Sequence, residues 1–146
     1  MTQIIKSLES YIQFDDNLLY VQNIIKVKLN PGVGEFSSIK DAVDSIITAT
    51  FTNQFLVDVG PGTFIEDTIT MKPYVHVRGV NRSITIIEVD DPGKHVIIGC
   101  RTSSINDCLL RGATDTGFAA IYFSNDSQVS GETYAFLVVK KLKISS

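Results

Sequence analysis

The chain has 146 residues, 44% of them apolar and 20% charged, and its 13 basic and 16 acidic side chains give a formal net charge of −3. With a mean hydropathy of +0.16, it has the material for one domain with a real core, which excludes wholesale disorder and two full-size domains. A nucleic-acid binder presents a basic surface, so the negative balance argues against that class.

Trp is absent, which weakens a carbohydrate platform, although Tyr and Phe also stack on sugars. Cys100 and Cys108 are eight apart with no Cys or His cluster around them, so zinc spacing is missing. They read as two reduced thiols, at least one of them buried as a small hydrophobe. The opening stretch MTQIIKSLESYIQFDD has neither a signal-peptide apolar core nor a small-residue cleavage site. No stretch approaches the ~18 apolar residues of a membrane span. The expectation is a soluble chain made in a cytoplasm, with no membrane insertion.

Residues 1–30 read as an N-terminal arm. Ile4, Ile5, Leu8 and Ile12 fall at helical spacing and predict an amphipathic helix over residues 3–13. Asp15, Asp16 and Asn17 break it, and LLYVQNIIKVKL (18–29) reads as one or two strands. The helix serves either as an arm onto sister chains or a partner, or as a cover for an apolar edge of its own domain.

Residues 31–146 read as the main domain. A turn cluster at Asn30–Gly34 precedes the clearest helix, residues 38–47. Ser37 or Ser38 suits the N-cap, Asp41 the first turn, and Ile39, Ala42, Val43, Ile46 and Ile47 form one apolar stripe. The threonine-rich end over 48–53 loses helix propensity. Beyond residue 54, short β-rich runs alternate with turns: FLVDV, TITM, YVHVRGV, SITIIEV, HVIIGC, SINDCLLRG, AAIYF and YAFLVVKKLKI. Such short apolar strands suit an all-β sandwich, a barrel or a β-solenoid, and the absence of Asn-Gly and Asp-Gly turns weakens the hairpin-built sandwich and barrel. Alternating pairs such as Val57 and Val59, Val75 and Val77, Ile84 and Ile86, and Ile121 and Phe123 each line one face. Gly, Asn, Asp and Ser corners separate them, as a parallel β-helix requires.

The ordered segments "GEFSSIKDAVDSI", "FLVDVGPGTFIED", "VHVRGV", "SITIIEV", "SSINDCLLRGA" and "AAIYFSNDS" resemble the start of the pectin methylesterase-like, more broadly pectin-lyase-like, right-handed β-helix. The likeness spans roughly residues 34–128. It implies an all-β fold: a short right-handed parallel β-helix of about three coils with an N-terminal capping helix and arm. Coils are expected at 55–83, 84–119 and 120–146. The expected inward residues are Val57, Val59, Ile69, Val75, Val77, Ile84, Ile86, Ile98, Ile105, Cys108, Leu110, Ile121 and Phe123. Lys140, Lys141 and Lys143 blunt the last edge, or another chain covers it.

The family's esterases use glutamines, two aspartates and an arginine. The first glutamine position falls near Phe118–Ala119, which is apolar, and the later segments lie past residue 146. The esterase chemistry is therefore not expected. Asp90, Asp91, Lys94 and His95 form a group able to hold a cation, or simply a solvated turn. Glu66 and Asp67 point to opposite sides of an extended segment and make a poor catalytic pair. His76, flanked by inward valines, is expected outward on the surface. Arg78 and Arg111 suit coil-to-coil ion pairs, or an anionic ligand on the wall. Asn106–Asp107 reads as a corner, and Asn125–Ser127 lacks the calcium-binding solenoid repeat. NPGVGE has no phosphate-loop Lys.

No catalytic, cofactor or metal residue is assigned. The expected function is a non-enzymatic structural or attachment module of a phage or virus particle. It would form a homo-oligomer, preferably a trimer, or join other virion proteins, with a surface polysaccharide as a further partner. The alternative is a polysaccharide-binding or -degrading enzyme, or a fragment of one.

Overall fold

A computed structural model describes residues 23–123 in full, and Tyr11–Phe14, Asn17–Tyr20, Leu137–Lys140 and Lys143–Ile144 as strands only. In chain order the elements are β1 (Tyr11–Phe14), β2 (Asn17–Tyr20), β3 (Asn23–Val27), α1 (Ile39–Ser45), β4 (Phe55–Val59), β5 (Gly62–Glu66), β6 (Ile69–Thr70), β7 (Val75–Arg78), β8 (Thr85–Val89), β9 (Ile97–Ile98), β10 (Ser103–Asn106), β11 (Leu109–Arg111), β12 (Ile121–Tyr122), β13 (Leu137–Lys140) and β14 (Lys143–Ile144).

The first sheet runs β13-β10-β7-β4-β3, the second β14-β11-β8-β5 and the third β12-β9-β6. Every pairing within these three sheets is parallel. Each strand therefore pairs with its equivalent one coil later, the register of a solenoid. Equivalent side chains stack in columns. Ile25, Val57, Val77 and Ile105 share one column of the first sheet. Phe64, Ile87 and Leu110 share one in the second, and Ile69, Ile97 and Ile121 one in the third. These columns meet in one core cluster. Burying each such aliphatic side chain contributes about 1.5–3 kcal/mol.

The short parallel β-helix expected from the sequence is present, with several corrections of phase. Coils begin at Phe55, Val75, Ser103 and Leu137, not at 84 and 120. The Pro61-Gly62 turn opens directly into β5, a strand that the propensity pattern reads as part of a corner. In SITIIEV the buried side chains are Thr85, Ile87 and Val89, while Ile84 is exposed and Ile86 half-buried. Thr85 is tolerated inside because its hydroxyl donates to the Gly60 carbonyl (3.1 Å) and accepts from the Val80 N–H (2.9 Å). Ile97, not Ile98, is buried, and Phe123 is partly exposed. Asn23–Val27, read as arm, is the outermost strand of the first sheet. Residues 11–13 lie in a strand of an antiparallel hairpin, not in the expected helix; the rest of that helix falls outside the described residues.

The helix closes the N-terminal end of the solenoid. Ile39, Ala42 and Val43 are fully buried on its apolar stripe. It stops at Ser45 rather than 47, because Ile46 is extended (φ −83°, ψ 114°). Phe36 adds one more rung beyond β3, through Phe36 N–H to Lys26 O and Lys28 N–H to Phe36 O, both 2.9 Å. Corners repeat as well. Tyr74 and Thr102 both take left-handed φ values of 63° and 56°, and the Tyr74 N–H donates to Thr102 O at 2.8 Å. Such a conformation costs a non-glycine residue on the order of 1–2 kcal/mol. The coil stacking outweighs it. At Gly79 a side chain is impossible without movement, since a Cβ there would lie 2.4 Å from the Asp107 carbonyl oxygen.

Candidate functional site

Strand alternation sends Leu56, His76 and Ser104 to the outer side of the first sheet, in one register row. His76 Nδ1 lies 2.8 Å from Ser104 Oγ, and Nε2 lies 2.7 Å from Gln54 Oε1. Gln54 Nε2 donates to the Phe51 carbonyl at 3.0 Å, which orients the amide. Gln54 Oε1 can only accept, so His76 carries its proton on Nε2 and Nδ1 accepts from the Ser104 hydroxyl. A hydroxyl, a base and an orienting group in this order are the arrangement of nucleophilic catalysis. Burial decides otherwise. Ser104 is 0% and His76 4% exposed. Burial also pushes the His76 pKa down from 6.5 to about 4. A neutral imidazole sealed from substrate is a structural link between neighbouring strands, and a weak base. His76 thus faces outward as expected from alternation but is not a surface residue.

The adjacent outward row holds Lys26, Asp58, Arg78 and Asn106. Asp58 binds Lys26 Nζ at 3.0 Å and Arg78 Nη2 at 3.5 Å. Asn106 Oδ1 is buried and finds no hydrogen-bond partner among the described residues. In the second sheet Arg111 Nε donates to Glu88 Oε2 across one coil step. Both arginines therefore form the coil-to-coil pairs expected of them.

The Glu66–Asp67 pair is divided as its alternation requires. Glu66 is buried and accepts from Ser38 Oγ (2.7 Å), Ile39 N–H (2.8 Å) and Lys40 N–H (3.2 Å). It satisfies orphan donors at the start of α1 and complements the helix dipole. Ser38 Oγ in turn accepts from Asp41 N–H at 3.1 Å. At the other end Lys72 Nζ donates to the Asp44 and Ile46 carbonyls at 3.0 and 2.7 Å. Asp67 points to solvent and meets Lys94 Nζ at 3.0 Å, which also meets Asp90 at 3.1 Å. The Lys94 hydrogen bond and then the Thr68 N–H lower the Asp67 pKa. Hydrogen bonds to Asp67 and then Asp90 raise that of Lys94. Asp91 accepts from Gly93 N–H at 2.8 Å, the mark of a local turn. Among the described residues no group of three or more His, Cys, Asp or Glu is placed to hold a metal ion. Both cysteines are free and buried, and burial raises both thiol pKa values, that of Cys108 to about 12. Neither is a nucleophile at neutral pH.

The third sheet carries something the sequence reading missed. His95 stacks on Tyr122 (centroids 4.2 Å apart, planes 8°) and leans on Phe118 at 5.1 Å. The Ala119 N–H donates to His95 Nδ1 at 3.0 Å. Phe118, Tyr122 and Phe123 each remain about 40% exposed. Lys94 and Asp90 border His95 in sequence, and Asp67 joins them from the preceding coil through its bond to Lys94. The only signal available beforehand was the aromatic content of GFAAIYF.

No family model and no curated protein matches the sequence. Solved structures do match in fold. Pectin methylesterase PemA from Erwinia chrysanthemi superposes with a TM-score of 0.52 at 15% identity, over 86% of this chain and 46% of that one. A pectin methylesterase in complex with a hexasaccharide gives 0.52 at 16% identity, over 86% and 46%. A mutant of pectin methylesterase, also in a hexasaccharide complex, gives 0.51 at 17%, over 86% and 39%. The chain thus spans less than half the length of these enzymes. At such identity the likeness speaks for fold alone. The chain is a short parallel β-helix, closed at its N-terminal end by a helix, with the fold of the pectin methylesterases.

Proposed function

We propose that this chain is a non-catalytic attachment module of a virus or phage particle. It is made in the host cytoplasm, assembles with copies of itself as a trimer, and meets a surface polysaccharide. The observation that supports this most is how the wall charges are used. Asp58, Glu66, Asp67, Glu88 and Asp90 each accept from a cation or a helix N-terminus, and the His76–Ser104 pair is sealed. Carboxylates already engaged in this way are poorly placed to act on a substrate. The sugar-facing surface is the third sheet, where exposed aromatic faces border hydrogen-bonding charges.

The alternative is a polysaccharide esterase, lyase or hydrolase, and the same aromatic cluster is what favours it. Incubation with methyl-esterified and de-esterified polygalacturonate separates the two. The module reading expects calorimetrically detectable binding, weakened at least tenfold by Tyr122→Ala, with no methanol release and no new chain ends. Turnover that scales with protein concentration supports the enzyme instead. Absence of any binding removes this polysaccharide class as partner.

A further inference from the structure

The outer side of the third sheet is uneven in charge. Its outward row is Thr70, Ile98 and Tyr122, each next to a residue of the inward column. None of the three carries a charge. The charges lie on the corner that leads into these strands, and most of them are negative. We propose that this wall prefers an amino-sugar polysaccharide, whose rings stack on the aromatic cluster and whose ammonium groups meet Asp91 and Asp115. The preference rests on the sugar-facing reading of the third sheet and specifies the charge of the sugar.

The aromatic cluster is prearranged. His95 lies parallel to Tyr122 at 4.2 Å and accepts the Ala119 N–H at Nδ1, so the neutral imidazole carries its proton on Nε2. The Phe123 ring rests on the backbone of the preceding coil: a Cβ on Gly99 would fall 2.5 Å from its Cε1. Rings held in this way offer an apolar face to a pyranose at little ordering cost.

The corner supplies the charge. Asp115 N–H donates to the Pro92 carbonyl, and Phe118 N–H to that of Asp115, both at 3.2 Å. The turn that carries Phe118 therefore lies against the Asp91–Lys94 turn of the coil before it. A Cβ on Gly93 would be 3.3 Å from Asp91 Oδ1 and 3.4 Å from Asp115 Oδ2, so carboxylates from two coils converge beside one glycine. Neither forms an ion pair among the described residues.

The nearby cations do not neutralise them. Lys94 holds Asp67 at 3.0 Å and Asp90 at 3.1 Å. Lys40, on the far side of Asp67, is paired with Asp44. Arg101 lies past the other end of β9. Four carboxylates against the one ammonium of Lys94 leave the corner strongly negative. A galacturonate chain laid on the rings is repelled there and a glucosamine chain attracted, over the ~10 Å that charges reach at 0.1 M salt.

The test is calorimetric titration of the full chain at pH 5.5 with hexasaccharides of glucosamine, N-acetylglucosamine and galacturonate. Amines are protonated and exposed aspartates ionised at that pH. The glucosamine hexamer is expected to bind at least tenfold more tightly than its N-acetyl counterpart, with galacturonate the weakest. Asp91→Asn with Asp115→Asn, which keeps an acceptor for the Gly93 N–H, is expected to remove the glucosamine advantage and leave N-acetylglucosamine binding unchanged. Tyr122→Ala weakens both at least tenfold. Equal binding of all three hexamers, each lost in Tyr122→Ala, would keep the sugar-facing wall and overturn the preference. A glucosamine advantage that survives the aspartate changes would overturn it too. So would glucosamine binding indifferent to Tyr122→Ala, which is attraction to charge without a site. No binding of any hexamer would remove the sugar-facing wall and the preference together.

Discussion

The first and third sheets are built from the same coils yet differ in almost every respect. Strands of the first sheet are four or five residues long and those of the third only two. In β7 and β10 of the first sheet nearly every side chain is buried, inward and outward alike. In the third sheet the outward Tyr122 stands 41% exposed. The first sheet joins its coils through a buried imidazole and a row of charges. The third joins its coils by backbone rungs such as Ile97 N–H to Ala120 O (3.0 Å) and Gly99 N–H to Tyr122 O (2.8 Å), with the His95–Tyr122 stack and the exposed Lys94–Asp67 pair beside them. One solenoid therefore has two kinds of wall: one buries and cross-links its outward side chains, and the other keeps its aromatic rings partly in solvent.

Core truncation gives the largest contrast. Ile105→Ala, at a fully buried position of the first-sheet column, is expected to cost about 4 kcal/mol, whereas Ile121→Ala, only partly buried, costs about half as much. Urea unfolding of both variants measures this. Equal losses would erase the distinction between the walls.

Acid comes next. The unfolded His76 titrates near 6.5 and the folded one near 4. Between those values the unfolded chain binds the extra proton and the folded chain does not, so stability falls as pH drops through that window. The full shift is worth about 3 kcal/mol. Carboxylates titrate there too, so the informative quantity is the difference from His76→Leu, whose stability should fall less between pH 7 and 4.5. Identical pH profiles would show that the imidazole is not sealed.

The helix cap ranks third. Glu66→Gln is expected to lose about 2 kcal/mol, and Ser38→Ala about 1 kcal/mol, both read as lowered urea midpoints. Last, Lys94→Ala on the open wall should leave the midpoint where it is, because exposed ion pairs add little. A clear drop would make the third sheet a second load-carrying wall.

How much of this the residues disclose depends on which force writes the pattern. The capping helix is legible because Ile39, Ala42 and Val43 repeat at one face after a serine cap. The ordered segments from Gly34 onward disclose the solenoid. The phase of β8 is not legible, since Ile84, Ile86 and Ile87 offer two apolar faces in one run and the true inward set includes Thr85. That residue is inside because of bonds to Gly60 and Val80, which only the coil stacking creates. His76 illustrates a second limit. Alternation assigns the face a side chain takes, but not what covers that face. The Gln54–His76–Ser104 link joins residues 22 and 28 positions apart, a spacing set by coil length. The Arg78 and Arg111 pairs were foreseeable only because charges on successive coils must meet something.

The protein's two histidines sit one on each contrasted wall, so a single titration addresses the central claim. Imidazole nitrogen shifts followed by NMR from pH 8 to 4.5, with His76→Leu used for assignment, read both rings at once. The account predicts that His76 remains neutral, protonated on Nε2, down to about pH 5. A His76 that charges near pH 6.5 would mean that solvent reaches the outer row of the first sheet. Its hydroxyl–imidazole pair would then be open to substrate, contradicting a purely structural role.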